Sequence, residues 1–185
     1  MLERAGVGFA VAPMLMDDSG LVAGRGTEPE QWVMALAYLK AAGGLRGVEG
    51  QDVVVLGSDT VCVGDDGVLG QPVDEADAER MLRGFVGREH RVVTGVALVS
   101  PISGERDLFS DAATVRWGAL GDDEIRSYIV GGQWRGKAGA YNLDERLAAG
   151  WPIEYEGDPG TIMGLPMQKL LPRLRAWSVA VGVGA

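Results

Sequence analysis

The feature that most constrains this chain is a short run of β-branched residues that ends at an acidic motif. Residues 52–56 contain three consecutive valines and lead directly into Gly-Ser-Asp-Thr-Val at residues 57–61. Such a run is typical of a strand buried in the middle of a parallel or mixed sheet. Ligands of open α/β sheets gather where strands end, so we expect Asp59 at a strand exit, where a carboxylate can bind a divalent cation or accept a proton from water. On this segment alone, a turn capped by Asp59 is an equally good interpretation.

The length and composition indicate one globular α/β domain that covers residues 1–185. The chain has 185 residues, of which 46% are apolar and 23% are charged, and this is enough to bury a sizeable core. No run approaches the roughly 18 to 20 consecutive apolar residues of a membrane span, and the N-terminus lacks the pattern of a signal peptide. We therefore expect a cytoplasmic protein with no membrane partner.

The charge and the scarcity of histidine and cysteine exclude several classes of function. The net charge is −9 and the acidic residues are spread along the chain, so a nucleic acid polymer is not an expected partner. His90 is the single histidine, which excludes sites built on several histidines, and the single cysteine, Cys62, cannot form an internal disulfide. We expect His90 to be a polar residue at the start of a strand and Cys62 to be a small buried strand residue.

Local signals divide the chain into alternating helices and strands. Residues 27–30, Thr-Glu-Pro-Glu, match a capping box with proline in the first turn, and Gly43 and Gly44 would end that helix. Further helix starts are predicted at Asp74, Gly121 and Pro166. Extended runs predict strands over residues 8–13, 52–63, 90–100 and 106–116. These elements predict a central mixed sheet flanked by helices.

Several separated segments together resemble the Maf family of nucleoside triphosphate pyrophosphatases. They occur in the family's order and spacing and cover nearly the whole chain: Gly57-Ser58-Asp59-Thr60-Val61, Leu69-Gly70-Gln71-Pro72, Gly87-Arg88-Glu89-His90-Arg91-Val92-Val93-Thr94-Gly95-Val96, Lys137-Ala138-Gly139-Ala140-Tyr141, and Gly157-Asp158 with Gly164-Leu165-Pro166. The resemblance implies hydrolysis of a nucleoside triphosphate between its α and β phosphates, with Mg²⁺ or Mn²⁺ as cofactor. It also implies a twisted sheet with two lobes around a nucleotide-binding groove, and a homodimer would be similar to other members.

The resemblance assigns roles to individual residues. Asp59 matches the catalytic acid, which binds the metal or deprotonates the attacking water, and Asp18 matches the region of a second metal-binding carboxylate. Lys40 and Lys137 match basic positions that face the phosphates, although a helix-dipole role would explain Lys40 without the resemblance. Thr60 matches a position that tracks substrate preference, and threonine there resembles the dTTP and UTP branch. Modified nucleotides are the other class of substrate that the resemblance leaves open.

Three departures from the family pattern keep an alternative open. Gln71 replaces a usual lysine and Asp144 replaces a usual glutamine at substrate-binding positions, and both changes disfavour a triphosphate by Coulomb's law. The chain also begins after the point where members carry a strand and a Ser-Pro-Arg-Arg loop, which either lies in an upstream coding region or is genuinely absent. The alternative is a catalytically impaired nucleotide-binding or cell-division regulatory protein.

Overall fold

The computed structural model describes residues 1–12, 20–65 and 67–179 of the chain. The helices in this part are α1 (Pro29–Gly44), α2 (Glu75–Phe85), α3 (Asp122–Val130), α4 (Leu143–Ala148), α5 (Pro159–Ile162) and α6 (Met167–Ala176), with short 3-10 helices at Glu3–Ala5 and Ala138–Ala140. The strands are β1 (Val55–Gly64), β2 (Gly67–Leu69), β3 (Glu89–Val99), β4 (Arg106–Trp117) and β5 (Ile153–Glu156). Within these described ranges, no helix has both the length and the apolar character that crossing a bilayer requires.

The five strands form one sheet in the order β2-β1-β3-β4-β5. β1 pairs with β2 in antiparallel register, with Cys62 opposite Leu69, and β4 pairs with β5 in the same sense, with Thr114 opposite Glu156. The predicted α/β domain with a central sheet flanked by helices is confirmed, and in the described residues the sheet is antiparallel where the sequence predicted a mixed sheet. Short turns join β1 to β2 and β3 to β4, and such hairpins can only place strands antiparallel.

The residues of the sheet belong to two compact units, and three strands contribute to both. The first unit contains Met1–Asp59, Thr94–Asp111 and Gly164–Ala185, and the second contains Thr60–Val93 and Ala112–Met163. Consequently α1, α6 and the 3-10 helix at Glu3–Ala5 lie in the first unit, while the other helices and the strands β2 and β5 lie in the second.

In the first unit, the two faces of β3 pack against different helices. Val96 and Leu98 belong to an apolar cluster that includes residues of α6, whereas Ala97 and Val99 belong to a cluster with residues of α1. This alternation follows from the two-residue period of a strand, whose successive side chains point to opposite faces. A layer of helix therefore covers each face of this part of the sheet.

The approach of α1 to the sheet is so close that two strand positions have no room for a side chain. A Cβ atom on Gly57 would lie 2.2 Å from the Ala37 carbonyl oxygen, and one on Gly95 would lie 2.4 Å from the Val33 carbonyl carbon. Real Cβ atoms do not approach other heavy atoms so closely, so these glycines set how closely α1 lies against β1 and β3.

In the second unit, the core contains an aromatic cluster around His90. The imidazole stacks on Phe85 with ring centroids 3.9 Å apart, and its Nε2 lies 2.9 Å from the Tyr141 hydroxyl. Cys62 is 1% exposed, which confirms that it is a buried strand residue, and His90 lies at the start of β3 as expected and is 3% exposed. Burial raises the pKa of the Cys62 thiol to about 12, so this thiol is not a nucleophile at neutral pH.

The buried histidine predicts a specific dependence of stability on pH. Burial lowers the pKa of His90 from 6.5 to about 4, so between these values the unfolded chain binds a proton that the folded chain excludes. We expect the free energy of unfolding to fall by about 3 kcal/mol from this group as the pH drops from 6.5 to 4. Urea unfolding at several pH values should show this slope in the wild type and a shallower slope in His90→Gln. Equal slopes would contradict the prediction.

Two local predictions near the N-terminus were wrong. Residue Glu28, and not Thr27, precedes the first turn of α1, and no side chain caps that helix, although Pro29 is in the first turn as expected. Residues 8–12 form no strand; the rest of that predicted strand lies outside the described residues. Only the preceding Val7 is buried, and residues 8–12 are all exposed, so no apolar face holds this segment against the sheet.

Candidate functional site

Asp59 lies inside a strand, and this differs from both sequence interpretations of its position. β1 begins at Val55, after most of the valine run, and continues to Gly64, so Asp59 is neither at a strand exit nor in a turn. The residues after it, Thr60 to Val63, also favour strand, which explains why the strand does not end at the acidic motif. The Asp59 side chain is 12% exposed, so its carboxylate is largely shielded but reachable.

The partner of Asp59 is Lys40 on helix α1. The Lys40 Nζ donates to Asp59 Oδ1, and the lysine side chain is 21% exposed. Gly57 and Asp59 are two residues apart and therefore face the same side of the sheet, where α1 contacts Gly57. The close approach at Gly57 thus brings the lysine over the carboxylate. The helix-dipole interpretation of Lys40 is wrong, because the last turn of α1 contains no basic residue.

Ser58, which the sequence analysis did not single out, connects β1 to a distant glycine. Its Oγ lies 2.7 Å from the Gly164 carbonyl oxygen and 3.0 Å from the Gly95 carbonyl oxygen. A serine hydroxyl has one proton, so it donates to one of these two acceptors at a time. The hydrogen bond to Gly164 holds the turn at that residue against β1, next to Asp59. This turn is part of the last family-like segment.

The second unit brings two other family-like segments together. The Gly139 backbone N–H donates to the Gly70 carbonyl oxygen over 2.9 Å, so the segment that contains Gln71 adjoins the loop that begins at Lys137. Gln71 itself is exposed. Lys137 Nζ donates to Oε2 of Glu145. The sequence analysis did not single out Glu145.

The loop after Lys137 has an unusual backbone. Gly139 and Ala140 both have positive φ, 64° and 68°, and a left-handed conformation costs a residue such as alanine about 1–2 kcal/mol. Packing holds the loop in place: a Cβ on Gly139 would lie 2.5 Å from Cys62 Sγ, and the Tyr128 hydroxyl donates to the Ala140 carbonyl oxygen over 2.9 Å. Strain of this kind is common at functional sites, where the surrounding structure maintains it.

The remaining predicted site residues lie in several different elements. Thr60 follows Asp59 in β1 with a half-buried side chain, and Asp144 is exposed in the first turn of α4. Asp18 lies outside the described residues. Lys40 and Asp59 are thus a contacting pair of the first unit, while Thr60, Gln71, Lys137 and Asp144 belong to the second unit.

The donor groups fit a metal ion whose coordination is completed by substrate phosphates and water. Across residues 1–12, 20–65 and 67–179, no three histidine, cysteine or acidic side chains cluster closely enough to hold a metal ion. Mg²⁺, however, is usually bound by one or two carboxylates together with substrate phosphates and water. The carboxylate of Asp59, whose side chain is 12% exposed, fits that role.

Comparison with known proteins identifies the family. A family model described as Maf-like protein matches residues 1–177. The dTTP/UTP pyrophosphatase of Hydrogenovibrio crunogenus is 35% identical over 95% of this chain and 88% of its own length. The protein of the same name from Symbiobacterium thermophilum is 35% identical over 100% and 91%, and that from Desulfitobacterium hafniense is 35% identical over 98% and 82%. Since these matches span nearly all of the sequence, the chain belongs to the Maf-like protein family.

Proposed function

We propose that this protein hydrolyses nucleoside triphosphates between the α and β phosphates and releases a nucleoside monophosphate and pyrophosphate. The observation that carries the proposal is the contact of Lys40 with Asp59, which pairs a partly exposed carboxylate with an ammonium group inside a tightly packed part of the first unit. The relatives named dTTP/UTP pyrophosphatase, together with Thr60, support thymine and uracil nucleotides as the substrates. The names of these relatives do not favour the alternative of a catalytically impaired nucleotide-binding or regulatory protein.

In this proposal, the two residues of the pair have distinct roles. Asp59 accepts a proton from the water that attacks the phosphorus, and the bond from that phosphorus to the bridging oxygen breaks. Lys40 orients the carboxylate through their ion pair and neutralises charge that moves onto the phosphate oxygens. A divalent cation, Mg²⁺ or Mn²⁺, would be held by Asp59 and would neutralise phosphate charge when bound.

Three further residues are proposed substrate contacts because they match positions of the family pattern. Lys137 supplies a second ammonium for phosphate oxygens. Gln71 and Asp144 stand at substrate-binding positions without a positive charge, and this lowers the electrostatic attraction for a triphosphate. We expect these two residues to weaken substrate binding more than they affect the chemical step.

A panel of nucleotides tests the proposal. Pyrophosphate release from dTTP, UTP, dCTP, CTP, dGTP and dATP should be measured with Mg²⁺ and with Mn²⁺, with chelator as the control. We expect dTTP and UTP to give the fastest release, with the monophosphate as the second product. Release of orthophosphate and a diphosphate would place the cleavage at the wrong bond, and no release from any nucleotide would reject the proposal.

The proposal includes the cellular location and the oligomeric state of the protein. We place the protein in the cytoplasm, where nucleotide pools are held, and we expect a homodimer. Light scattering after gel filtration measures the mass of the particle, and a value near the 19.5 kDa of one chain would contradict the homodimer.

A further inference from the structure

The lysine that is proposed to meet the phosphates is already neutralised within the protein. Lys137 Nζ donates to Glu145 Oε2, and the two side chains are 21% and 47% exposed. An anionic ligand that approaches Lys137 must therefore compete with a carboxylate that the chain itself provides.

The fold holds Glu145 in position to act as that competitor. Glu145 lies in the first turn of α4, and its backbone N–H donates to Asn142 Oδ1 over 3.1 Å, which fixes the start of the helix. A negative charge is favoured in the first turn of a helix because it lies near the positive end of the helix dipole. The backbone of Glu145 is therefore positioned by the start of α4, and not only by the contact of its side chain with Lys137.

Arg146 is a second cation that can pair with Glu145 when the Glu145 carboxylate leaves Lys137. Arg146 Nη2 lies 3.9 Å from Glu145 Oε2 and donates to Gln133 Oε1 over 2.6 Å. The guanidinium lies over two adjoining aromatic rings, 4.3 Å from the Tyr128 centroid and 4.9 Å from the Trp151 centroid. Because Arg146 is buried and fixed, it can keep Glu145 paired while Lys137 turns to another anion.

We propose that Glu145 is an internal counter-anion of Lys137, which a polyphosphate displaces and which then remains paired with Arg146. This inference rests on the proposed function and deepens it, because it identifies a residue that sets the affinity of the phosphate site. The carboxylate carries one negative charge, so an anion with several charges on adjacent phosphates displaces it more readily than an anion with one charge. Glu145 therefore selects for polyphosphate chains.

The test compares two variants that remove the same charge. Tripolyphosphate is the probe, and its dissociation constant is measured by titration calorimetry without metal and without turnover. We expect Glu145→Gln to bind it about 2- to 5-fold more tightly than the wild type, the range for releasing a partly exposed ion pair. The matched control is Glu79→Gln, which breaks an ion pair with Arg83 elsewhere in the second unit and should leave the constant unchanged.

A second background separates competition at Lys137 from a general effect of charge. In Lys137→Met, the Glu145→Gln change should no longer tighten binding, because there is no ammonium to release. Equal tightening with and without Lys137, equal effects of Glu145→Gln and Glu79→Gln, or no binding of tripolyphosphate to any variant would each overturn the proposal. Since the readout is equilibrium binding, these results are distinct from the pyrophosphate release that tests the proposed function.

Discussion

Replacing Asp59 with asparagine is expected to lower pyrophosphate release by about 10²- to 10⁴-fold, the range that a positioned general base contributes. The amide has nearly the same shape as the carboxylate, but it cannot accept the proton of the attacking water and carries no charge for Lys40 or a metal ion. Turnover of dTTP and UTP at saturating Mg²⁺ measures the effect. The loss should appear in kcat, because the carboxylate acts on the reacting water.

The matched control for this variant is Asp65→Asn, at the far end of the same hairpin. Asp65 is exposed and pairs with Arg88 at 3.0 Å, so its loss removes an equal charge from the surface and should leave turnover near the wild-type value. Urea unfolding of both variants separates lost chemistry from lost structure. A folded Asp59→Asn protein with turnover within about threefold of the wild type would contradict the catalytic role.

The elements that sequence reasoning predicted well are those fixed by local signals. Asp74 accepts a hydrogen bond from the Asp77 backbone N–H over 2.8 Å and caps α2 as its side-chain chemistry predicts. The sequence Gly-Asp-Asp-Gly at residues 64–67 is typical of a hairpin turn, and Gly64 and Gly67 lie opposite each other across the turn between β1 and β2. In both cases the two interacting residues are three positions apart, so a short sequence pattern contains both of them and can predict their contact.

The features that sequence reasoning missed depend on contacts between distant parts of the chain. Ser58 bonds to the carbonyl oxygen of Gly164, which is 106 residues away, and no local pattern connects the two. The position of Asp59 within β1 was missed for a related reason, because a strand ends where its pairing and burial end and not where a polar residue occurs. Family resemblance named Lys40 and Asp59, but only the packing of α1 explains why they meet.

Replacing Gly57 with alanine is expected to destabilise the protein by about 3 kcal/mol or more, because the added methyl group has no space. It would lie 2.2 Å from the Ala37 carbonyl oxygen and 2.5 Å from the Ala41 backbone nitrogen. Both atoms are helix backbone, so neither can rotate away, and α1 must move as a whole. Urea unfolding measures the loss of stability, and pyrophosphate release from the remaining folded protein should fall because α1 carries Lys40.

Gly84→Ala is the matched control, since it adds the same methyl group where the structure has room. No heavy atom lies within 4 Å of a Cβ at Gly84, which is inside α2, and alanine there should raise the free energy of unfolding by about 0.5–1 kcal/mol because it favours the helix. The two variants should therefore shift the urea midpoint in opposite directions. A Gly57→Ala protein as stable as the wild type would mean that α1 can withdraw from β1 at little cost. In that case the contact between Lys40 and Asp59 would not be fixed by the packing of the helix, and the lysine would reach the carboxylate only through the flexibility of its own side chain.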